Sequence, residues 1–202
     1  MEPTEQVSEK QREIVRGAAT VFAQYGYHKT SMNDIIGASR VSRATVYKYF
    51  GSKEDVFRAV IWQEKKEAVK AIEGAVAAEA STRGKLKAMF TTSLRMLDEK
   101  MNLYRLTRRS FTELFPPKES EEGELKARMG EVIEILTEIL GAGVAAGDLV
   151  VKDTELVVEV FLAAFRGIMV GAFAHADRRP PDELAEAMVD VFLDGLRARS
   201  EA

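Results

Sequence analysis

Within twenty-four residues, TSMNDIIGASRVSRATVYKYFGSK at positions 30–53, two helix starts and a tight turn follow one another almost without spacing. Thr30 or Ser31 supplies the N-cap of a helix running to about residue 38, and Met32, Ile35 and Ile36 fall on one side of it. Ser39, Arg40 and Val41 then form a connection of the length a helix-turn-helix needs. Ser42 caps a second helix over 43–50, with Val46 and Phe50 spaced i,i+4 toward the first. Its outward positions are Arg43, Thr45, Lys48 and Tyr49, with Tyr47 at one edge. Between Arg40 and Lys53 there are four basic residues and no acidic one. Such a face suits phosphates and base edges.

The formal net charge of −3 looks wrong for that partner until the chain is divided. Residues 1–60 hold nine Lys+Arg against seven Asp+Glu, and residues 61–202 hold twenty against twenty-five. The positive field is therefore local to the two-helix stretch, which is where it acts on phosphate. No cysteine occurs, which removes disulfides, thiol nucleophiles and thiolate metal sites. The two histidines, His28 and His175, lie far apart in sequence, and no HExxH, GxSxG or glycine-rich phosphate loop is present. Neither an enzyme nor a cofactor is expected. The polar, acidic start MEPTEQVSEK does not read as a signal peptide, and a cytoplasmic protein is expected.

The remaining pattern is helical throughout. A first helix over 9–25 buries Ile14, Ala18, Val21, Phe22 and Tyr25, and Gly26 serves as an αL C-cap. Lys10, Arg12 and Arg16 lie on its outer side, as a solvated face or an approach to the DNA backbone. A long helix follows over 53–80, with Glu54 and Asp55 suited to the positive end of its dipole. Further helices are expected over 84–100, 103–114, 122–146, 153–176 and 181–200, separated by Pro116-Pro117, the glycines 141, 143 and 147, and Pro180-Pro181. Residues 157–176 are the most apolar, but Glu159, Arg166 and His175 interrupt them short of the ~18 residues a membrane span requires. Trp62, Met89, Phe90, Leu94, Tyr104, Phe111, Phe115, Phe161, Phe165 and Met169 either line a cavity between helices or fill a core.

The run Phe22, Gly26, Tyr27, Thr30, Ser31, Ile36, Ala38, Val41, Ser42, Thr45, Val46, Tyr47, Phe50 and Lys53 resembles the N-terminal DNA-binding domain of the TetR (tetracycline-repressor) family, over about residues 10–58. One departure is Arg40, where the family often has glycine in the turn. The resemblance implies an all-α chain of about nine helices, with a three-helix helix-turn-helix head at 1–52 and a ligand-binding and dimerisation bundle at 53–202. It implies a homodimeric transcriptional regulator, a repressor, that grips a palindromic double-stranded operator and is released by a small, largely apolar effector, with no membrane partner. The expected DNA-facing set is Thr30, Ser31, Ser42, Arg43, Thr45, Tyr47, Lys48, Tyr49 and Lys53, and the expected dimer face holds Ala164, Gly167, Gly171, Leu184, Met188, Val191 and Phe192. The alternative is a helical ligand-binding or scaffold protein whose head does not read DNA.

Overall fold

A computed structural model of the chain describes residues 8–100, 103, 121–174 and 179–196, leaving aside the side chains of 121–129, 166, 169–174 and 194–196. The described residues hold eight α-helices and no strand: α1 Glu9–Tyr25, α2 Met32–Ser39, α3 Arg43–Tyr49, α4 Lys53–Ala77, α5 Thr82–Glu99, α6 Glu121–Ala145, α7 Thr154–Ala174 and α8 Pro181–Leu196. The helix expected over 103–114 lies outside the described residues except for Leu103. By contacts the described chain forms two compact units. One comprises residues up to Lys66 with Lys100 and Leu103, and the other comprises residues 67–99 and those from 121 on. The division falls inside α4.

In the first unit, α1 begins at Ser8, whose Oγ accepts the Gln11 amide, and ends at Gly26, whose amide bonds to the Phe22 carbonyl. Gly26 does not adopt the αL cap expected of it. Its φ of 79° with ψ of 167° is a pairing that only glycine holds without strain. Ile14, Ala18, Phe22, Ile35, Val46, Val56, Phe57 and Val60 are wholly buried in one core. Phe22 and Phe57 meet edge to face with centroids 5.3 Å apart, a favoured aromatic geometry. Tyr25, expected on the buried stripe, is 49% exposed, and Val15 takes its place inside. Leu103 also enters this core, and Lys100 Nζ lies 3.0 Å from the carboxylate of buried Glu64.

In the second unit, α5, α6, α7 and α8 bury Leu86, Phe90, Leu94, Leu136, Leu140, Phe161 and Val189. The start of α5 lies two residues earlier than the apolar pattern suggested, because Ser81 acts as its cap: Ser81 Oγ accepts the Gly84 amide at 3.0 Å and Ser81 O accepts the Lys85 amide at 2.9 Å. Outside the core, Arg83 and Lys87 of α5 pair with Glu186 of α8, and Arg95 pairs with Asp182 at 2.8 Å. Hydrogen bonds from Lys87 and Arg83 hold the Glu186 carboxyl below its ordinary pKa. Exposed pairs of this kind contribute little to stability.

Candidate nucleic-acid interface

The two short helices are shaped by their ends. Ser31 caps α2 in a reciprocal box: its amide and its Oγ both donate to Asp34 Oδ2 at 2.7 Å, while the Asp34 amide donates back to Ser31 Oγ at 3.3 Å. Those bonds keep the Asp34 carboxyl below its usual pKa. Helix α2 stops at Arg40, which sits in the left-handed region at φ 57°, ψ 19°. Ser42 then caps α3 by accepting the Thr45 amide at 3.2 Å. Val46 is fully buried and Phe50 nearly so, which seats the seven-residue α3 on the head. Arg43, Tyr47 and Lys48 are thereby left facing solvent.

The expected DNA-facing residues divide between this surface and the inside of the head. Arg43 is exposed and donates to Asn33 Oδ1 on α2 at 2.5 Å. Tyr47 is 45% exposed, whereas Tyr49, expected to point outward, is half-buried against the core. The reason is helical spacing: Tyr49 lies three residues from Val46 and shares its inward side. Thr45 Oγ1 and Ser42 Oγ lie 2.8 Å apart at the start of α3. Thr30 is 2% exposed, and its hydroxyl donates to the Gly26 carbonyl at 2.7 Å, so its side chain presents nothing to the surface. Lys53 donates to the carbonyls of Tyr27 and Thr30 at 2.8 and 2.9 Å, and its ammonium lies 4.2 Å from the Tyr27 ring centroid. Burial there pulls its pKa below the ordinary lysine value. Lys53 is thus a strut joining the start of α4 to the α1–α2 connection.

Two residues that shape this surface gave no separate signal in the sequence. Asn33 matters because folding brings the first turn of α2 beside the first turn of α3, ten positions away. Gly17 matters because a Cβ built there would lie 2.7 Å from both Cα and N of Ser39, so α1 and α2 touch backbone to backbone. Lys10, Arg12, Arg16 and Lys29 add exposed cations to the head.

In the second unit, Phe90, Phe161 and Phe165 come together with Met89, Ser93, Val132, Leu136 and Leu162 around a void of about 10 Å³. That is room for about one water. Leu94 is buried in the same core. Trp62 is not among them. It lies in the first unit, 42% exposed, with Lys66 Nζ 3.8 Å from its ring centroid. Tyr104, Phe111 and Phe115 lie outside the described residues, as do the side chain of Met169 and the burial of Gly171. Of the residues expected at a dimer face, Met188 is 7% exposed and Phe192 stacks on Phe161 with centroids 3.7 Å apart, so both pack inward. Ala164 and Leu184 are half-buried against the core. Gly167 is exposed and Val191 is 73% exposed. Leu156, Val160, Ala163 and Gly167, spaced by four, three and four residues, form one exposed stripe along α7. Among the described residues no helix is long and apolar enough to cross a membrane.

A sequence model of bacterial regulatory proteins of the tetR family matches residues 14–60. YfiR of Bacillus subtilis (strain 168), an uncharacterized HTH-type transcriptional regulator, is 42% identical over 57 residues, which span 28% of this chain and 28% of that protein. The fatty acid metabolism regulator protein of the same organism is 24% identical over 144 residues, covering 69% of this chain and 71% of that protein. Among solved structures, the transcriptional regulator FadR from Bacillus subtilis in complex with stearoyl-CoA matches with a TM-score of 0.71 at 19% identity, covering 91% of this chain and 98% of that one. At that identity the likeness is one of fold.

Proposed function

We propose, from the premise that this chain is a DNA-binding transcriptional regulator of the tetR family, that it is a homodimeric repressor whose α3 enters the major groove of a palindromic operator. The observation that carries this reading is the exposed face of α3 and its turn. Arg40, Arg43, Tyr47 and Lys48 stand outward on a helix seated by Val46, and no carboxylate occurs between residues 40 and 53. Arg43 is the candidate for a guanine edge, since a guanidinium pairs with O6 and N7 together. Lys48 supplies charge to a phosphate, and the hydroxyl of exposed Tyr47 donates to another. The exposed stripe on α7 with Val191 on α8 supports pairing between two copies, because apolar side chains in register are the usual seam of a helical dimer interface. Two heads on one axis then read half-sites about 34 Å apart.

Selection of bound duplexes from a random pool tests this reading. The expected result is an enriched palindrome, with Arg43→Ala weakening binding by roughly 1–3 kcal/mol and relaxing the preference at one base pair. Lys48→Ala should weaken all duplexes alike. Parental binding by both variants would mean that another face meets DNA.

The effector we assign is an acyl chain carried by a polar head. The support is an apolar core built of stacked phenylalanines, and relatives that are a fatty acid metabolism regulator and a FadR in complex with stearoyl-CoA. A void of about 10 Å³ cannot admit such a chain until α5 and α7 part, since small-molecule sites run to about 300 Å³ or more. Helix α4, whose residues belong to both units, would carry that parting to the head. Stearoyl-CoA added to the operator complex should lower its affinity about 5–150-fold, the usual range of such coupling. Unchanged affinity at saturating stearoyl-CoA would remove this effector class and leave the DNA reading standing.

A further inference from the structure

Among the described residues Arg40 is the only non-glycine residue with positive φ. L side chains are disfavoured in that region because Cβ crowds the following carbonyl, and glycine relieves the crowding. A strained position occupied by a large cation raises the question of what the side chain contributes. Within the protein it contributes nothing visible: Arg40 is exposed, and among the described residues no acceptor lies against its guanidinium. The turn itself is held by its neighbours. Ser39 is buried with its hydroxyl on the Ile36 carbonyl, and Val41 packs half-buried against the core. Of the three connecting residues 39–41, Arg40 alone faces outward, three positions before Arg43.

From this placement, and resting on the DNA-binding reading above, we propose that Arg40 is itself a DNA contact, its guanidinium reaching a backbone phosphate beside the bases met by α3. A planar guanidinium engages a phosphate through two parallel N–H donors, which a lysine ammonium cannot reproduce. The backbone conformation is then the counterpart of an added anchor: glycine would suit the turn better and hold the DNA less well.

The test compares the parent, Arg40→Gly and Arg40→Lys on a duplex selected by the parent, over a series of salt concentrations, with thermal unfolding of each protein. Arg40→Gly should unfold at a higher temperature than the parent and yet bind about tenfold more weakly, because each protomer then leaves one phosphate without its guanidinium. Its plot of log affinity against log salt should be shallower by about 1.8 for the dimer, since each neutralised phosphate contributes about 0.9. Arg40→Lys should keep the parental slope and recover part of the affinity. Parental affinity and slope in Arg40→Gly would overturn the proposal. So would a fall in affinity at unchanged slope that Arg40→Lys shares, because the effect would then belong to turn geometry. A parent that prefers no sequence would overturn the underlying reading, and that outcome is separate from both.

Discussion

Phe161→Ala should destabilise the second unit by about 3–5 kcal/mol, the range for removing a fully buried phenylalanine. Phe161 is 1% exposed and lies between two rings, with the Phe90 centroid 5.4 Å away at an interplanar angle of 10° and the Phe192 centroid 3.7 Å away at 20°. Its ring therefore joins α5, α7 and α8, and truncation strips the packing from both of its faces. The space it vacates adjoins the small void lined by Met89, Ser93 and Leu136, so the surroundings are poorly placed to collapse into it. The measurement is the urea midpoint of the second unit, followed by a signal from that unit. Val191→Ala is the matched control: at 73% exposure it should stay within about 0.5 kcal/mol in the isolated protomer. A Phe161→Ala midpoint equal to that of the control would mean that the stacked rings are not what holds these helices together.

Gly17→Ala should destabilise the head by roughly 1–3 kcal/mol, the usual range for overpacking, although alanine is the better helix former by about 1 kcal/mol. The added methyl would lie 2.7 Å from Ser39 N and 2.9 Å from Ala38 C. These are backbone atoms at the end of α2, not the free end of a flexible side chain, so the helices themselves must separate. Moving the end of α2 moves the Arg40 turn and the start of α3 with it. DNA affinity should therefore fall together with stability, and Gly17→Val should do more of both. A Gly17→Ala protein as stable as the parent would show that the α1–α2 contact yields easily. Gly37→Ala, where a built Cβ meets nothing within 4 Å, is the control expected to gain stability.

The helices were legible because their signals are local. Ser31 and Ser42 cap where their sequence positions require, and Val46 and Phe50 are buried as their i,i+4 spacing implies. The all-helical fold follows from such signals repeated along the chain. What could not be read was which polar side chains would turn their chemistry on the protein itself. Thr30 and Lys53 carry the groups expected of DNA contacts, yet a carbonyl takes the hydroxyl of one and two carbonyls take the ammonium of the other. Those carbonyls belong to the connection between α1 and α2, whose path no periodicity describes. Tyr47 and Tyr49 illustrate a second limit: a helix of seven residues offers too few positions to fix which edge faces inward. The outward turn of Gly167 and Val191 and the inward turn of Met188 and Phe192 depend on which neighbour fills the core, and that is a tertiary matter.

The brevity of α3 has a consequence for evolution and for engineering alike. An isolated helix below about 12 residues is marginal in water, and this one has seven. A peptide cut from residues 40–53 would lose its shape, so the face we propose for DNA cannot be transplanted as a stretch of sequence. It is a property of the assembled head, held by the burial of Val46 and Phe50, by the close approach at Gly17 and by the Lys53 strut. Substitutions at the outward residues of α3 leave the packing of the head intact and, on the proposed reading, change the sequence met, while the residues that hold the face in shape lie out of sight beneath them.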